Sequence, residues 1–123
     1  MILKMNESVQ RELETIQATV DLMDDHTFNE YYEQIVNERD SYNEALKNMI
    51  ELARKYISDE MTKEELAESI KEPISKLREQ FTKYNLKEPD EHEYELSSSE
   101  ITNLRAVLVG AYEIVRKRRK LEP

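Results

Sequence analysis

Apolar residues recur alternately four and three positions apart from residue 28 to residue 56, interrupted once by Arg39, and this spacing is the strongest constraint on the fold. It follows the turn of an α-helix, so the side chains lie on one face, whereas a strand would require a period of two. We therefore predict one long helix over residues 28–57, a rod of about 45 Å. Its seam consists of Phe28, Tyr32, Ile35, Arg39, Tyr42, Leu46, Met49, Ala53 and Tyr56.

Three shorter stretches carry the same periodicity and predict three further helices. Residues that form capping boxes, in which a hydroxyl and a carboxylate satisfy helix-end N–H groups, precede three of the four helices. These pairs are Thr27 with Glu30, Thr62 with Glu65, and Ser97 with Glu100. Pro73 interrupts the third stripe, so we expect a kink or break near Lys71–Glu72. The predicted helices span 3–23, 28–57, 63–84 and 98–119, with an acidic linker over 85–96.

A β-rich fold is excluded because the chain has a single glycine, Gly110, and tight hairpin turns need residues that tolerate positive φ. We predict a single all-α domain over residues 1–123, an antiparallel bundle of about four helices. The second helix is longer than the others, and its overhang would leave apolar side chains uncovered. A partner chain or a second copy is the natural cover, so dimerisation is one expectation.

Charge is distributed unevenly along this acidic chain, whose net charge is −9. Residues 1–60 carry six basic and fourteen acidic groups, whereas residues 101–123 carry six basic and two acidic ones. The acidic body argues against broad nucleic-acid binding, because phosphates would be repelled. The chain has no cysteine, no signal-peptide pattern and no apolar run long enough to span a membrane. We predict a cytoplasmic protein with no membrane contact.

No motif in the sequence indicates catalysis. Cysteine nucleophiles and glycine-rich phosphate loops are absent, and no pair of carboxylates stands out. His26 and His92 each have acidic neighbours, but neither has a second histidine at helical spacing, so we interpret both as solvated loop residues rather than metal ligands. The sequence therefore predicts no enzyme, no cofactor and no metal.

Three residues of the second helix are candidates for contact with another protein. Arg39 occupies a seam position, where it either forms a buried ion pair or recognition contact, or packs its stem while its charged head reaches solvent. Tyr31 and Tyr32 cannot face the same way, so one of them is expected at the surface or against a partner.

Two charged runs are further candidates. The acidic run comprises Glu88, Asp90, Glu91, Glu93 and Glu95, and it either docks on a basic protein or is a solvated linker. The basic run comprises Arg116, Lys117, Arg118, Arg119 and Lys120. It either contacts phosphates or an acidic partner, or complements the dipole at a helix C-terminus.

The sequence thus favours a non-catalytic protein-interaction module, a small acidic regulator, inhibitor or assembly factor that binds another protein. An inhibitor of a host nucleic-acid enzyme, encoded by a mobile element, would have this size and acidity. The alternative is an accessory subunit of a nucleic-acid-handling complex, in which nucleic acid is contacted only through the basic run.

Overall fold

The computed structural model describes residues 7–86 and 96–121, and 88% of these residues are helical with no strand among them. The helices are α1 (Glu7–Leu22), α2 (Asp25–Ile57), α3 (Lys63–Ser69), α4 (Lys71–Lys83) and α5 (Ser98–Leu121). Because α3 and α4 together form the third predicted helix, the prediction of an all-α bundle of four helices is confirmed. Residues 3–6 of the first predicted helix and 87–95 of the predicted linker lie outside the described residues.

The long helix α2 is the centre of the bundle, with α4 and α5 packed along it and α1 packed on α5. Helix α5 runs antiparallel to α2, because its first turn reaches Tyr42 and its last turns reach Phe28. It runs parallel to α1, since Gly110 lies against Leu13 while Arg118 reaches the end of α1.

The core follows the periodic apolar faces predicted from the sequence. Apolar side chains of all four long helices meet in one cluster, which is what allows a chain with 38% hydrophobic residues to fold. The largest fully buried side chains are Phe28, Phe81, Ile35, Leu77, Leu104, Leu108, Val9, Val20, Val107 and Val115.

Asp24, and not Thr27, caps the N-terminus of α2, so the predicted Thr27–Glu30 capping box is wrong. The Asp24 carboxylate accepts the Thr27 backbone N–H at 2.8 Å, and this bond lowers the pKa of Asp24. An acceptor three residues earlier lets the helix begin at Asp25 and leaves only a two-residue turn after α1.

The other two capping boxes are present as predicted. Thr62 and Glu65 exchange hydrogen bonds at 2.9 and 3.1 Å, and Ser97 and Glu100 do so at 2.8 and 3.1 Å. These boxes fix the starts of α3 and α5. Because the Ser97–Glu100 box fixes where α5 begins, it also determines how much of α2 is covered by α5.

The break predicted for the third helix lies at Ile70, between α3 and α4. Pro73 is then in the first turn of α4, where its missing N–H leaves no hydrogen bond unmade, and its ring is buried. Ile74, the residue after Pro73, is buried with 2% of its surface exposed.

Candidate functional site

The C-terminal end of α2 extends beyond the cover that α5 provides. The first turn of α5 meets α2 at Tyr42, whose hydroxyl donates to the Ile101 carbonyl at 3.5 Å. Beyond Tyr42, toward its C-terminus, α2 is no longer covered by α5 on this face. Ile50 and Ile57 are accordingly 67% and 80% exposed. We call Leu46, Ile50, Ala53 and Ile57 the distal strip, because their spacing places them on one face over the last turns of the helix.

A groove of about 390 Å³ lies where the distal strip meets α5. It is lined by Tyr42, Asn43, Leu46, Lys47, Ile50, Glu51 and Arg105. Apolar side chains therefore border charged ones, an arrangement that suits an amphipathic ligand better than a purely polar one.

Arg39 stacks on an aromatic ring and does not form a buried ion pair. Its guanidinium carbon lies 4.1 Å from the centre of the Tyr112 ring, and its Nη2 lies 3.4 Å from the carboxylate of the exposed Asp40. The neighbouring Arg39 guanidinium lowers the pKa of Tyr112. The guanidinium head of Arg39 thus packs on a ring of α5, while the side chain remains 31% exposed at the surface.

Tyr32 and Arg119 form a second stacked pair directly beside the first. The guanidinium carbon of Arg119 lies 4.4 Å from the centre of the Tyr32 ring, and the rings of Tyr32 and Tyr112 are 6.4 Å apart. Arg116 lies next to both rings and bonds Glu113 at 2.6 Å, which raises the pKa of Arg116. Together with Arg105 these side chains form what we call the arginine row: Arg39, Arg105, Arg116 and Arg119.

Arg118 contacts the end of α1, unlike the other residues of the basic run. It donates hydrogen bonds to the carbonyls of Val20 at 2.5 Å and Met23 at 2.9 Å, and it lies over the ring of Phe28 at 4.3 Å. These carbonyls belong to the end of α1, so Arg118 caps that helix. Lys117 and Lys120 are exposed and make no ion pair among the described residues.

The structure therefore divides the basic run and joins part of it to candidates from α2. Tyr32 and Arg39 meet Arg116 and Arg119 in one patch, which no spacing within the sequence could indicate. Tyr31 points the other way and is half-buried near Glu12 and Tyr84, and burial raises its pKa. The acidic-run residues Glu88, Asp90, Glu91, Glu93 and Glu95 lie outside the described residues, as does His92.

A buried polar cluster surrounds Glu38, a residue that the sequence does not single out. Glu38 is 7% exposed and accepts hydrogen bonds from Gln34 at 3.1 Å, from the Lys83 ammonium and from the Tyr84 hydroxyl. Burial raises the pKa of Tyr84 and lowers that of Lys83. The available signal was the spacing of seven residues that places Glu38 between Tyr31 and Ala45 on the inner side of α2.

Neither a metal centre nor a membrane span is present in the part of the chain that the structure describes. No three His, Asp or Glu side chains there are grouped to hold a metal ion, and no helix there is long and apolar enough to cross a bilayer. His26 is exposed and lies 3.7 Å from Glu30.

Comparison with known proteins gives no family: no family model matches the chain, and neither a curated protein nor a solved structure matches it significantly.

Proposed function

We propose that this protein is a non-catalytic protein-interaction module, a regulator, inhibitor or assembly factor that binds a partner protein through the distal strip of α2. The exposure of Ile50 and Ile57 on one helix face carries the proposal. Burial against a partner would contribute roughly 1.5–3 kcal/mol for each isoleucine that becomes fully covered.

The net charge of the chain favours a different protein over a second copy. Two copies each carry a net charge of −9 and repel each other at long range.

The test uses two matched substitutions of exposed apolar residues. Ile57→Asp adds a charge to the distal strip, whereas Leu22→Asp adds the same charge at the end of α1, where the leucine is 87% exposed. Circular dichroism first establishes that both variants keep the helical content and stability of the wild type. Immobilised proteins then capture partners from the native cell, and mass spectrometry quantifies each bound protein.

We expect a defined protein to be bound by the wild type and by Leu22→Asp and lost with Ile57→Asp. The purified partner should then bind the wild type directly in calorimetry, with the same dependence on Ile57. Equal capture by all three proteins contradicts the proposal. Sedimentation velocity gives the second-copy outcome: a wild-type dimer that Ile57→Asp dissociates would assign the strip to self-association instead.

A further inference from the structure

We infer that the segment bound here is an acidic amphipathic helix, which lies along the seam between α2 and α5 with its carboxylates on the arginine row and its apolar side chains on the distal strip. The inference rests on the proposed function and adds the chemistry of the partner. It joins two features that are continuous on the surface, because Arg105 lines the same groove as Leu46 and Ile50.

The arginine row has the spacing of one helix face. Arg105, Arg116 and Arg119 project from α5, and Arg39 of α2 fills the gap between the first two because it stacks on Tyr112. The guanidinium groups therefore stand at the levels of residues 105, 112, 116 and 119, over about 21 Å of helix. A helix lying alongside would meet them with carboxylates at positions i, i+7, i+11 and i+14, which share one face.

Two guanidinium groups of the arginine row are preorganised to bind carboxylates. These two groups lie over the tyrosine rings, so less side-chain freedom is lost when a ligand binds. Arg116 is already paired with Glu113 at 2.6 Å. Among the described residues Arg105 and Arg119 have no ion pair, and the pairing of Arg39 with exposed Asp40 is long. A guanidinium can bind a carboxylate through two parallel hydrogen bonds, so each of these positions adds directional recognition.

An acidic protein segment fits this surface better than nucleic acid does. The distal strip continues the row with apolar side chains, and a phosphodiester backbone has nothing to place on Ile50 or Ile57. The net charge of −9 repels a long polyanion, whereas a short helix with a few carboxylates meets mainly the local field of the row.

A synthetic amphipathic peptide provides the probe. It carries glutamate at positions i, i+7, i+11 and i+14, leucine on the same face at i−4, i−7 and i−11, where the helix would pass over the distal strip, and alanine and glutamine elsewhere. The control peptide has glutamine in place of each glutamate. Fluorescence anisotropy measures binding of both peptides to the wild type, to Arg105→Glu and Arg119→Glu, and to Lys117→Glu, which makes the same charge change on another face of α5.

We expect the glutamate peptide to bind the wild type at least about tenfold more tightly than the glutamine peptide, and more weakly as salt is raised. Each arginine reversal should weaken binding by about tenfold or more, while Lys117→Glu stays within about twofold of the wild type. Equal binding of the two peptides, no peptide binding, or equal effects of Arg105→Glu and Lys117→Glu would overturn the inference.

Two further outcomes separate this inference from the proposed function. An oligothymidine of similar length that binds more tightly than the peptide, through the same arginines, would assign the row to nucleic acid and overturn the acidic-helix inference. A partner captured from cells that is lost with Ile57→Asp but retained with Arg105→Glu and Arg119→Glu would leave the proposed function standing while refuting the acidic helix. A captured partner that is retained with Ile57→Asp and also with both arginine reversals would refute the proposed function and the acidic-helix inference together.

Discussion

The buried cluster at Glu38 allows a quantitative test of what holds the centre of the bundle together. Replacing Glu38 with leucine keeps an aliphatic side chain of similar size but removes both acceptor oxygens. The Tyr84 hydroxyl is then left buried without its partner, which costs about 1–3 kcal/mol. Lys83 is 42% exposed and regains water, and removal of a buried carboxylate offsets part of the loss. We therefore expect Glu38→Leu to lower the free energy of unfolding by about 1–2 kcal/mol.

A double-mutant cycle isolates the contact between Glu38 and Tyr84. The variants are Glu38→Leu, Tyr84→Phe and the double substitution, each unfolded in urea and followed by circular dichroism. Tyr84→Phe removes the hydroxyl that Glu38→Leu orphans, so the double variant should be about 1 kcal/mol more stable than additive losses predict. Glu44→Leu, on the exposed side of α2, is the control and should change stability by less than about 0.5 kcal/mol.

Additive losses of stability in the double variant would contradict a specific contribution from the Glu38–Tyr84 hydrogen bond. If the losses from Glu38→Leu and Tyr84→Phe simply add, the hydrogen bond contributes nothing specific and the fold tolerates the cluster without depending on it. A Glu44→Leu effect as large as that of Glu38→Leu would also refute it, because burial would then not distinguish the two positions.

Three other expectations concern stability and can be measured by the same urea titrations. Arg118→Met should cost about 2 kcal/mol, because it removes charge-assisted bonds to the end of α1, while Lys117→Met one residue earlier should be close to neutral; equal effects would contradict the capping role. Gly110→Ala brings a Cβ within 2.6 Å of Leu13, so it should stabilise the protein by about 1 kcal/mol in a Leu13→Ala background and by clearly less in the wild type; the same gain in both backgrounds would exclude the clash. The free energy of unfolding should fall by up to about 1.4 kcal/mol per pH unit as pH rises above about 10, because burial raises the pKa of Tyr84 and the unfolded chain therefore releases that proton first. The fall should be shallower in Tyr84→Phe. An unchanged slope would contradict the assignment to Tyr84.

The helices were predictable because local chemistry determines them. The spacing of Phe28, Ile35 and Tyr42 could be satisfied only by a helix, and the capping boxes at Thr62 and Ser97 are local hydrogen-bond patterns. The start of α2 was misplaced because Asp24 and Thr27 are both good N-caps, and the choice between them depends on how tightly α1 turns into α2.

The candidate site was only partly predictable because it depends on which helices become neighbours. The over-long second helix could be recognised from periodicity, and with it an uncovered apolar face. That Ile50 and Ile57 are the residues exposed on it could not be recognised in that way. The arginine row could not, since Arg39 and Arg119 are eighty positions apart and meet only through the packing of α2 on α5. The burial of Glu38 likewise depends on Lys83 and Tyr84 arriving from α4 and its C-cap.

The division of labour within the basic run determines how its function can be tested. Neutralising residues 116–120 together would remove Arg118 from the end of α1, so any loss of binding would be mixed with loss of the fold. Arg116 and Arg119 face the seam with α2, while Lys117 is exposed on another face, so single charge reversals on one helix separate a binding role from general electrostatics. An effect confined to Arg116 and Arg119 would identify a recognition surface. An equal effect at Lys117 would show only that a cationic helix end attracts anions.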